Sequence, residues 1–206
     1  MKINDLITDI HQNAVNHGWW EGTRRSLAEI IALIHSEWSE ALEEARAGRP
    51  LVYYDCILCP DGPCRMTKED EAASICDYSE AEAKPEGIAV EIIDGCIRIL
   101  DFLGVYIESL SLETMNGKPV ANAEDLYVEY NEDWTPAEII AELHSYTSLA
   151  YDGFCEGMQE EAFARLVEAL ALGFSWVKNQ GLDPLELLLK KHEYNKTRPY
   201  KHGKQF

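Results

Sequence analysis

The sequence predicts an all-α protein built as a helical bundle. Three observations lead to this prediction: several helix starts are well marked, apolar residues recur at spacings of three and four, and convincing strands with alternating apolar residues are absent. A helix with one apolar stripe must bury that stripe against another element, so several such helices predict a bundle. The length of 206 residues suits a single domain over residues 1–206.

The first three helices follow from their start and stop signals. A helix over residues 3–16 is expected to stop at Gly18, because glycine favours the left-handed conformation that ends helices. The next helix follows the capping box Ser26-Leu27-Ala28-Glu29. A strongly apolar helix is predicted from residue 88 to about residue 109, after Pro85-Glu86-Gly87.

Three more helices complete the bundle. Thr135-Pro136-Ala137-Glu138 and Asp183-Pro184-Leu185-Glu186 each place an N-cap residue before a proline at the first helical position. Between them, residues 161–178 form a helix that ends before Gly181. Two stretches interrupt the pattern and are predicted as loops: an insertion over about 48–84, which is rich in proline, glycine and cysteine, and a polar segment over about 113–134.

Charge and composition exclude several classes of protein. The apolar share of 46% and aromatic share of 10% argue against disorder, and no apolar run reaches the length of a bilayer span. The N-terminal segment lacks the pattern of a secretory signal, so a cytoplasmic location is expected. A net charge of −19 would repel a nucleic-acid polymer. Residues 190–206 are the exception, with six basic side chains against Glu193, and this tail is either solvated or a site for an anion.

Two carboxylate pairs are the strongest chemical signal. Glu37 and Glu40 lie three residues apart in one predicted helix, and Glu91 and Asp94 repeat that spacing in the apolar one. A separation of three residues places both side chains on one helix face, where like charges repel unless a cation lies between them. Each pair is therefore either a solvated patch or half of a metal site.

The surroundings of Glu91 and Asp94 favour the metal site. Apolar side chains cover about two thirds of that helix's circumference, which predicts that the helix is enclosed and that its acidic sector faces another helix. Burial of unpaired carboxylates costs several kcal/mol each, so partners are expected. Arg98 can serve one of them, whereas four carboxylates suit Mg²⁺, or Mn²⁺ in its place.

These residues resemble the MazG-like, all-α nucleoside triphosphate pyrophosphohydrolases. The resemblance covers about two thirds of the chain. It rests on Glu37-x-x-Glu40, on Glu91-x-x-Asp94 with the residues around it, on Gly18-Trp19-Trp20, and on the C-terminal run Lys191 to Pro199. It implies an antiparallel bundle of the MazG-like type, with the cysteine-containing loop as an insertion.

The resemblance also implies an activity and a set of site residues. The activity is Mg²⁺-dependent hydrolysis of a nucleoside or deoxynucleoside triphosphate to the monophosphate and pyrophosphate. The implied metal ligands are Glu37, Glu40, Glu91 and Asp94, and either Glu37 or Glu40 is the candidate for accepting a proton from water. The implied substrate-binding residues are Lys191, Asn195 and Arg198 for phosphate oxygens, and Trp19 for stacking on the base.

The insertion and the assembly state leave alternatives open. Cys56, Cys59, Cys64 and Cys76 either bind a structural Zn²⁺ or are free thiols. Cys96 and Cys155 are predicted to be small core residues. A homodimer or a higher homo-oligomer is expected, both from the number of apolar helix faces and from the resemblance. The alternative function is that of a non-catalytic acidic protein that binds a basic partner.

Overall fold

The computed structural model describes residues 1–22, 25–56, 64–66, 83–107, 111–114 and 116–203. This part of the chain contains six α-helices, three short strands and two 3₁₀ turns, so the predicted, predominantly helical class is confirmed. The helices are α1 (Ile3–Asn16), α2 (Leu27–Arg46), α3 (Ile88–Gly104), α4 (Pro136–Glu156), α5 (Gln159–Asn179) and α6 (Pro184–Thr197). The strands are β1 (Tyr53–Cys56), β2 (Cys64–Met66) and β3 (Lys84–Glu86).

Three helices begin where their capping signals predict. The Ser26 hydroxyl accepts a hydrogen bond from the Glu29 backbone N–H at 3.1 Å at the start of α2. Thr135 and Glu138 form a reciprocal capping box at the start of α4. Asp183 accepts hydrogen bonds from two backbone N–H groups at the start of α6. Each cap satisfies donors that have no partner within the helix, and this fixes the first turn.

Two helix boundaries differ from the prediction. α3 ends at Gly104, about five residues earlier than predicted, because the N–H groups of Val105 and Tyr106 bond to carbonyls three residues back and tighten the chain into a turn. α5 begins at Gln159, slightly before the predicted start. It follows Gly157, whose φ of 82° ends α4 in the left-handed conformation.

The predicted loops contain structure that the sequence did not signal. The three strands form an antiparallel sheet in the order β2-β1-β3, so the expectation that the chain lacks strands was wrong for the 48–84 insertion. These strands have only three or four residues each, which is too short for an alternating pattern to appear. In the 113–134 segment, a 3₁₀ turn at Ala123–Asp125 lies among buried residues, including Val120 and Leu126.

α3 is the central helix of the fold. Nearly all of its residues are buried, as its apolar circumference predicts, and it packs against α1, α2, α5 and α6. Gly95 allows the closest approach to α2, because a Cβ atom there would lie 2.2 Å from the Trp38 ring. Opposite Gly95, on α5, Gly173 faces Cys96.

The helices are not all antiparallel to their neighbours. α2 runs antiparallel to α3, as predicted, and Glu37 therefore lies beside Arg98. Between α2 and α4, however, His35 pairs with His144 and Trp38 pairs with Thr147, and each pair is separated by 109 residues. Because the sequence separation stays at 109 residues from one pair to the next, the two helices advance in the same direction, so α2 and α4 run parallel. The long 113–134 connection between α3 and α4 makes this arrangement feasible.

The cysteine predictions have mixed outcomes. Cys96 is buried as predicted, whereas Cys155 is exposed on the surface of α4, so its assignment to the core was wrong. Cys56 and Cys64 are backbone partners in the β1–β2 register. Cys59 and Cys76 lie outside the described residues, and the zinc site therefore stays a prediction.

Across the described helices, none combines the length and the apolar character that a bilayer crossing requires.

Candidate metal centre

Three of the four predicted carboxylates converge between α2 and α3. One carboxylate oxygen each from Glu37, Glu40 and Glu91 lies within 4.8 Å of the other two. Glu37 and Glu91 are buried, whereas Glu40 is exposed at the edge of the cluster. The antiparallel packing of α2 on α3 creates this convergence, because it brings the C-terminal half of α2 beside the first turn of α3.

The first turn of α3 is held in place by its N-cap. Gly87 adopts a φ of 114°, and a Cβ atom at this position would lie 2.7 Å from the carbonyl oxygens of Pro50 and Leu51. The Ala89 N–H donates to that Leu51 carbonyl at 3.0 Å. Only glycine permits both the backbone conformation and the close approach, so the turn that carries Glu91 is anchored to the chain entering β1.

Asp94 lies next to the three converging carboxylates and has protein partners of its own. Its Oδ2 is 3.4 Å from the Lys191 ammonium, and its Oδ1 accepts a hydrogen bond from the Asn195 side-chain amide at 3.4 Å. Among the described residues, Asp94 is not part of the group whose ligand atoms converge. The fourth predicted metal ligand is thus held by α6.

Lys191 is almost completely enclosed, with 1% of its surface exposed. Its Nζ donates to the Pro85 carbonyl at 3.2 Å and lies 3.9 Å from a Glu91 oxygen. The side chain predicted to bind substrate phosphate therefore supplies positive charge to the protein's own carboxylates. It also links α6 to β3, an interaction that spans more than a hundred residues of sequence.

The carboxylates have strongly perturbed pKa values. Burial raises the pKa of Glu37 to about 7, with a further increase from the charge of Asp94 and an opposing effect from Arg98. Burial also raises the pKa of Glu91 to about 9, against the lowering effect of Lys191. Burial acts in the same direction on Asp94, but the charges of Lys191 and Arg98 outweigh it and lower the Asp94 pKa.

Arg98 lies between the carboxylate of Glu37 and the aromatic ring of Trp19. Its Nε donates to Glu37 at 3.0 Å, and its guanidinium carbon lies 5.9 Å from the centre of the Trp19 ring. A second guanidinium, that of Arg25, lies 5.3 Å from the same ring. Trp19 is buried between cationic groups. The sequence predicted Trp19 as a stacking residue but gave no signal for Arg25, which precedes the Ser26 cap.

A small pocket lies beside Asp94, between α1, α3 and α6. The predicted substrate residues Trp19, Asn195 and Arg198 all line it, together with Arg98 and His192. Its volume is about 40 Å³. Arg198 has no ion-pair partner in the described part of the chain, so its guanidinium can bind an anion at this pocket.

Several buried polar atoms around the site have no hydrogen-bond partner among the described residues. They include Glu91 Oε1, Asn195 Oδ1 and His192 Nδ1. Buried polar atoms are nearly always satisfied in folded proteins, so unsatisfied ones indicate a missing ion, water or ligand. His192 was not among the predicted site residues, because nothing in the spacing of the sequence distinguished it from its neighbours on α6.

The donor set fits a hard divalent cation. All three converging groups offer carboxylate oxygens, which suit Mg²⁺ and Mn²⁺, and Glu91 Oε1 has an unused acceptor position. The four acidic groups outnumber the two positive charges of Arg98 and Lys191, and the site becomes net negative once Glu37 and Glu91, whose pKa values are raised, are ionised.

Searches of protein-family profiles, of curated proteins and of solved structures find no match to this chain.

Proposed function

We propose that this protein hydrolyses nucleoside or deoxynucleoside triphosphates to the monophosphate and pyrophosphate with the help of Mg²⁺. The observation that carries the proposal is the convergence of Glu37, Glu40 and Glu91, with an oxygen on Glu91 that lacks a hydrogen-bond partner among the described residues. The convergence lies beside a pocket that Arg198 lines. The resemblance of the sequence to the MazG-like family supports the same reaction. The acidic cluster, together with the guanidinium groups of Arg98 and Arg198 at the pocket, suits a polyphosphate that arrives with metal.

Glu37, Glu40 and Glu91 are the residues that would hold Mg²⁺, with Asp94 as the fourth predicted ligand. Bound there, Mg²⁺ would offset polyphosphate charge and acidify water, which is its usual role in phosphoryl chemistry. Lys191 and Asn195 contact the Asp94 carboxylate and fix its position and orientation at the site.

The remaining residues act on the substrate and on water. Arg198 binds phosphate oxygens at the pocket mouth, where a guanidinium can form two parallel hydrogen bonds. Between the two predicted proton acceptors, Glu40 is the more accessible, since Glu37 already accepts a hydrogen bond from Arg98. Glu40 is exposed and has no hydrogen-bond partner among the described residues, so water can reach it.

The direct test is pyrophosphate release from a panel of ribo- and deoxynucleoside triphosphates. The panel is run with Mg²⁺, with Mn²⁺ and with EDTA, and the nucleotide product is identified by chromatography. We expect monophosphate and pyrophosphate in equal amounts, with no turnover in EDTA. Release of inorganic phosphate with a diphosphate product, or no turnover across the panel, would contradict the proposal.

A double variant tests the assignment of the site. Glu91→Gln with Asp94→Asn preserves side-chain shape but removes two of the carboxylates that would bind the cation, so we expect turnover to be abolished while the helical circular dichroism spectrum is retained. The matched control is Glu43→Gln, which removes an exposed carboxylate on α2 that forms a surface ion pair with Arg46. Retained activity in the double variant would refute the metal-site assignment.

A further inference from the structure

Two residues that line the pocket beside Asp94 each contain a buried polar atom with no hydrogen-bond partner in the part of the chain that the structure describes. His192 is 1% exposed and Asn195 is 7% exposed, and neither His192 Nδ1 nor Asn195 Oδ1 has a hydrogen-bond partner among the described residues. Both side chains line the same pocket. Leaving a buried polar atom unpaired costs about 1–3 kcal/mol, so two such atoms at one pocket indicate a ligand group that satisfies them.

The hydrogen-bonding character of both atoms is fixed by their other contacts. Asn195 directs its amide nitrogen at the carboxylate of Asp94, so its oxygen is the atom left unpaired. His192 Nε2 lies 2.9 Å from Asp9 Oδ2, which places a proton on Nε2. Burial lowers the pKa of His192 and favours the neutral ring, in which Nδ1 carries a lone pair. Both atoms therefore accept hydrogen bonds.

The hydrogen-bonding character of the two atoms limits which ligand group can pair with them. The pocket volume of about 40 Å³ leaves room for a small polar group. A hydroxyl or an amino group can donate a hydrogen bond there. A phosphate oxygen is unsuitable, because it would bring a third acceptor to two acceptors.

We propose that His192 Nδ1 and Asn195 Oδ1 form a subsite that recognises a hydrogen-bond donor, either a hydroxyl or an amino group, on the nucleoside part of the substrate. This inference rests on the proposed function, because it assumes that a nucleotide binds beside Asp94. It changes the role of Asn195, which the sequence assigned to phosphate binding. It also makes His192 a specificity-determining residue.

The test measures equilibrium binding of nucleoside monophosphates by calorimetry in EDTA, where no turnover occurs. The four common deoxynucleoside monophosphates are compared first. The tightest is then compared with its dideoxy analogue, which lacks the sugar hydroxyl, and with the analogue that lacks the exocyclic amino group of the base. We expect one of the two deletions to weaken binding about tenfold, and that deletion identifies the source of the donor. If the tightest ligand has no exocyclic amino group, only the dideoxy deletion is expected to have this effect.

A variant links the effect to His192. His192→Gln keeps an amide donor for Asp9 but lacks the acceptor at the Nδ1 position, so the tenfold preference should shrink toward one. The matched control is Lys196→Gln, since Lys196 also contacts Asp9 at 3.1 Å but does not line the pocket. The control should keep the full preference. Circular dichroism checks that both variants fold. If one variant does not fold, the comparison of analogues on the unmodified protein still tests the subsite.

The outcomes separate this inference from the proposed function. Donor-dependent binding without pyrophosphate release would support the subsite and contradict the proposed reaction. Pyrophosphate release with equal binding of parent and both deleted analogues would overturn the subsite alone, because the pocket would then hold only water. Absence of nucleotide binding in EDTA and with Mg²⁺ would overturn the subsite as well.

Discussion

The Lys191 ammonium stabilises the buried carboxylates Asp94 and Glu91, although the sequence places Lys191 in a basic C-terminal segment. It is enclosed by Asp94, Glu91 and the Pro85 carbonyl, and these partners, together with the charges of Glu86 and Glu37, offset the burial of its own charge. Loss of the ammonium removes a nearby cation from Asp94 and Glu91. Arg98 does not replace it, because its guanidinium is hydrogen-bonded to Glu37. Lys191 therefore contributes to folding through its buried contacts.

Replacement of Lys191 by methionine should strongly destabilise the metal-free protein. Methionine fills similar space but removes the charge, and breaking one side of a buried ion pair costs about 3–5 kcal/mol. Urea unfolding at neutral pH in EDTA measures the free energy of unfolding. Lys190→Met is the control, because Lys190 is half exposed and pairs on the surface with Glu186; its effect should be within about 0.5 kcal/mol. Equal effects for the two variants would contradict the buried role of Lys191.

His11 gives the protein a pH dependence that can be assigned to one contact. Its Nδ1 hydrogen-bonds to Asp101 at 2.8 Å, and this bond raises the His11 pKa against the lowering effect of burial. The folded-state pKa of His11 lies above its ordinary value. The stability that the protonated ring contributes is therefore fully present at pH values below the ordinary pKa, and it is lost as the pH rises through the folded-state pKa.

The variant His11→Asn isolates this contribution, since asparagine offers a donor near the Nδ1 position but does not titrate. We expect the unmodified protein to be more stable than the variant at about pH 5.5, and this difference to shrink by about pH 8. Thermal melts of both proteins across that range provide the measurement. A difference in melting temperature that is constant with pH would show that His11 is not charged in the folded protein.

At the scale of residues, sequence spacing predicted neighbours on one helix and missed contacts between helices. The separation of three residues placed Glu37 beside Glu40 correctly, because helix geometry alone decides it. The partners of Asp94 on α6 depend on how α6 packs against α3, and no local pattern encodes that packing. Arg25 and His192 were missed for the same reason.

At the scale of elements, helix starts were predictable and strands were not. A cap is a local arrangement of three or four residues, so Ser26, Thr135 and Asp183 fixed three starts. The strand β1 pairs with β3 across about thirty residues, and its stability comes from that pairing. The parallel arrangement of α2 and α4 was likewise not predictable, since the long connection before α4 allows either direction.

The contact between α2 and α3 depends on Gly95, and a substitution there tests it. Alanine in place of a helical glycine normally stabilises a helix by about 1 kcal/mol, but here its Cβ would overlap the Trp38 ring. We expect Gly95→Ala to lower the free energy of unfolding by about 1–3 kcal/mol through overpacking. Gly153→Ala is the control, because its Cβ would meet Ala162 at a less severe 3.2 Å. Chemical denaturation should show the larger loss at Gly95, and the reverse order would contradict this packing.

At the scale of the whole molecule, the apolar helix faces are largely buried within one chain. The large apolar side chains that are exposed in the described part come from separate elements: Met1, Tyr127, Leu149, Met158 and Tyr200. The expected homodimer or higher oligomer therefore stays a prediction, to be measured by sedimentation equilibrium. The net negative charge, by contrast, is a property of the entire chain.

The net charge of −19 allows two explanations of any response to Mg²⁺, and thermal melts separate them. Diffuse negative charge is screened by any salt, so NaCl at the same ionic strength should stabilise the protein as much as MgCl₂ does. A specific site at Glu37, Glu40 and Glu91 adds binding energy to the folded state alone, about 2.7 kcal/mol at one hundred times the dissociation constant. For a chain of this size we expect Mg²⁺ to raise the melting temperature by about 5–10 °C above the matched NaCl sample. Equal shifts in the two salts would favour the non-catalytic acidic protein that binds a basic partner, and an Mg²⁺ excess that disappears in Glu91→Gln with Asp94→Asn would assign it to the carboxylate site.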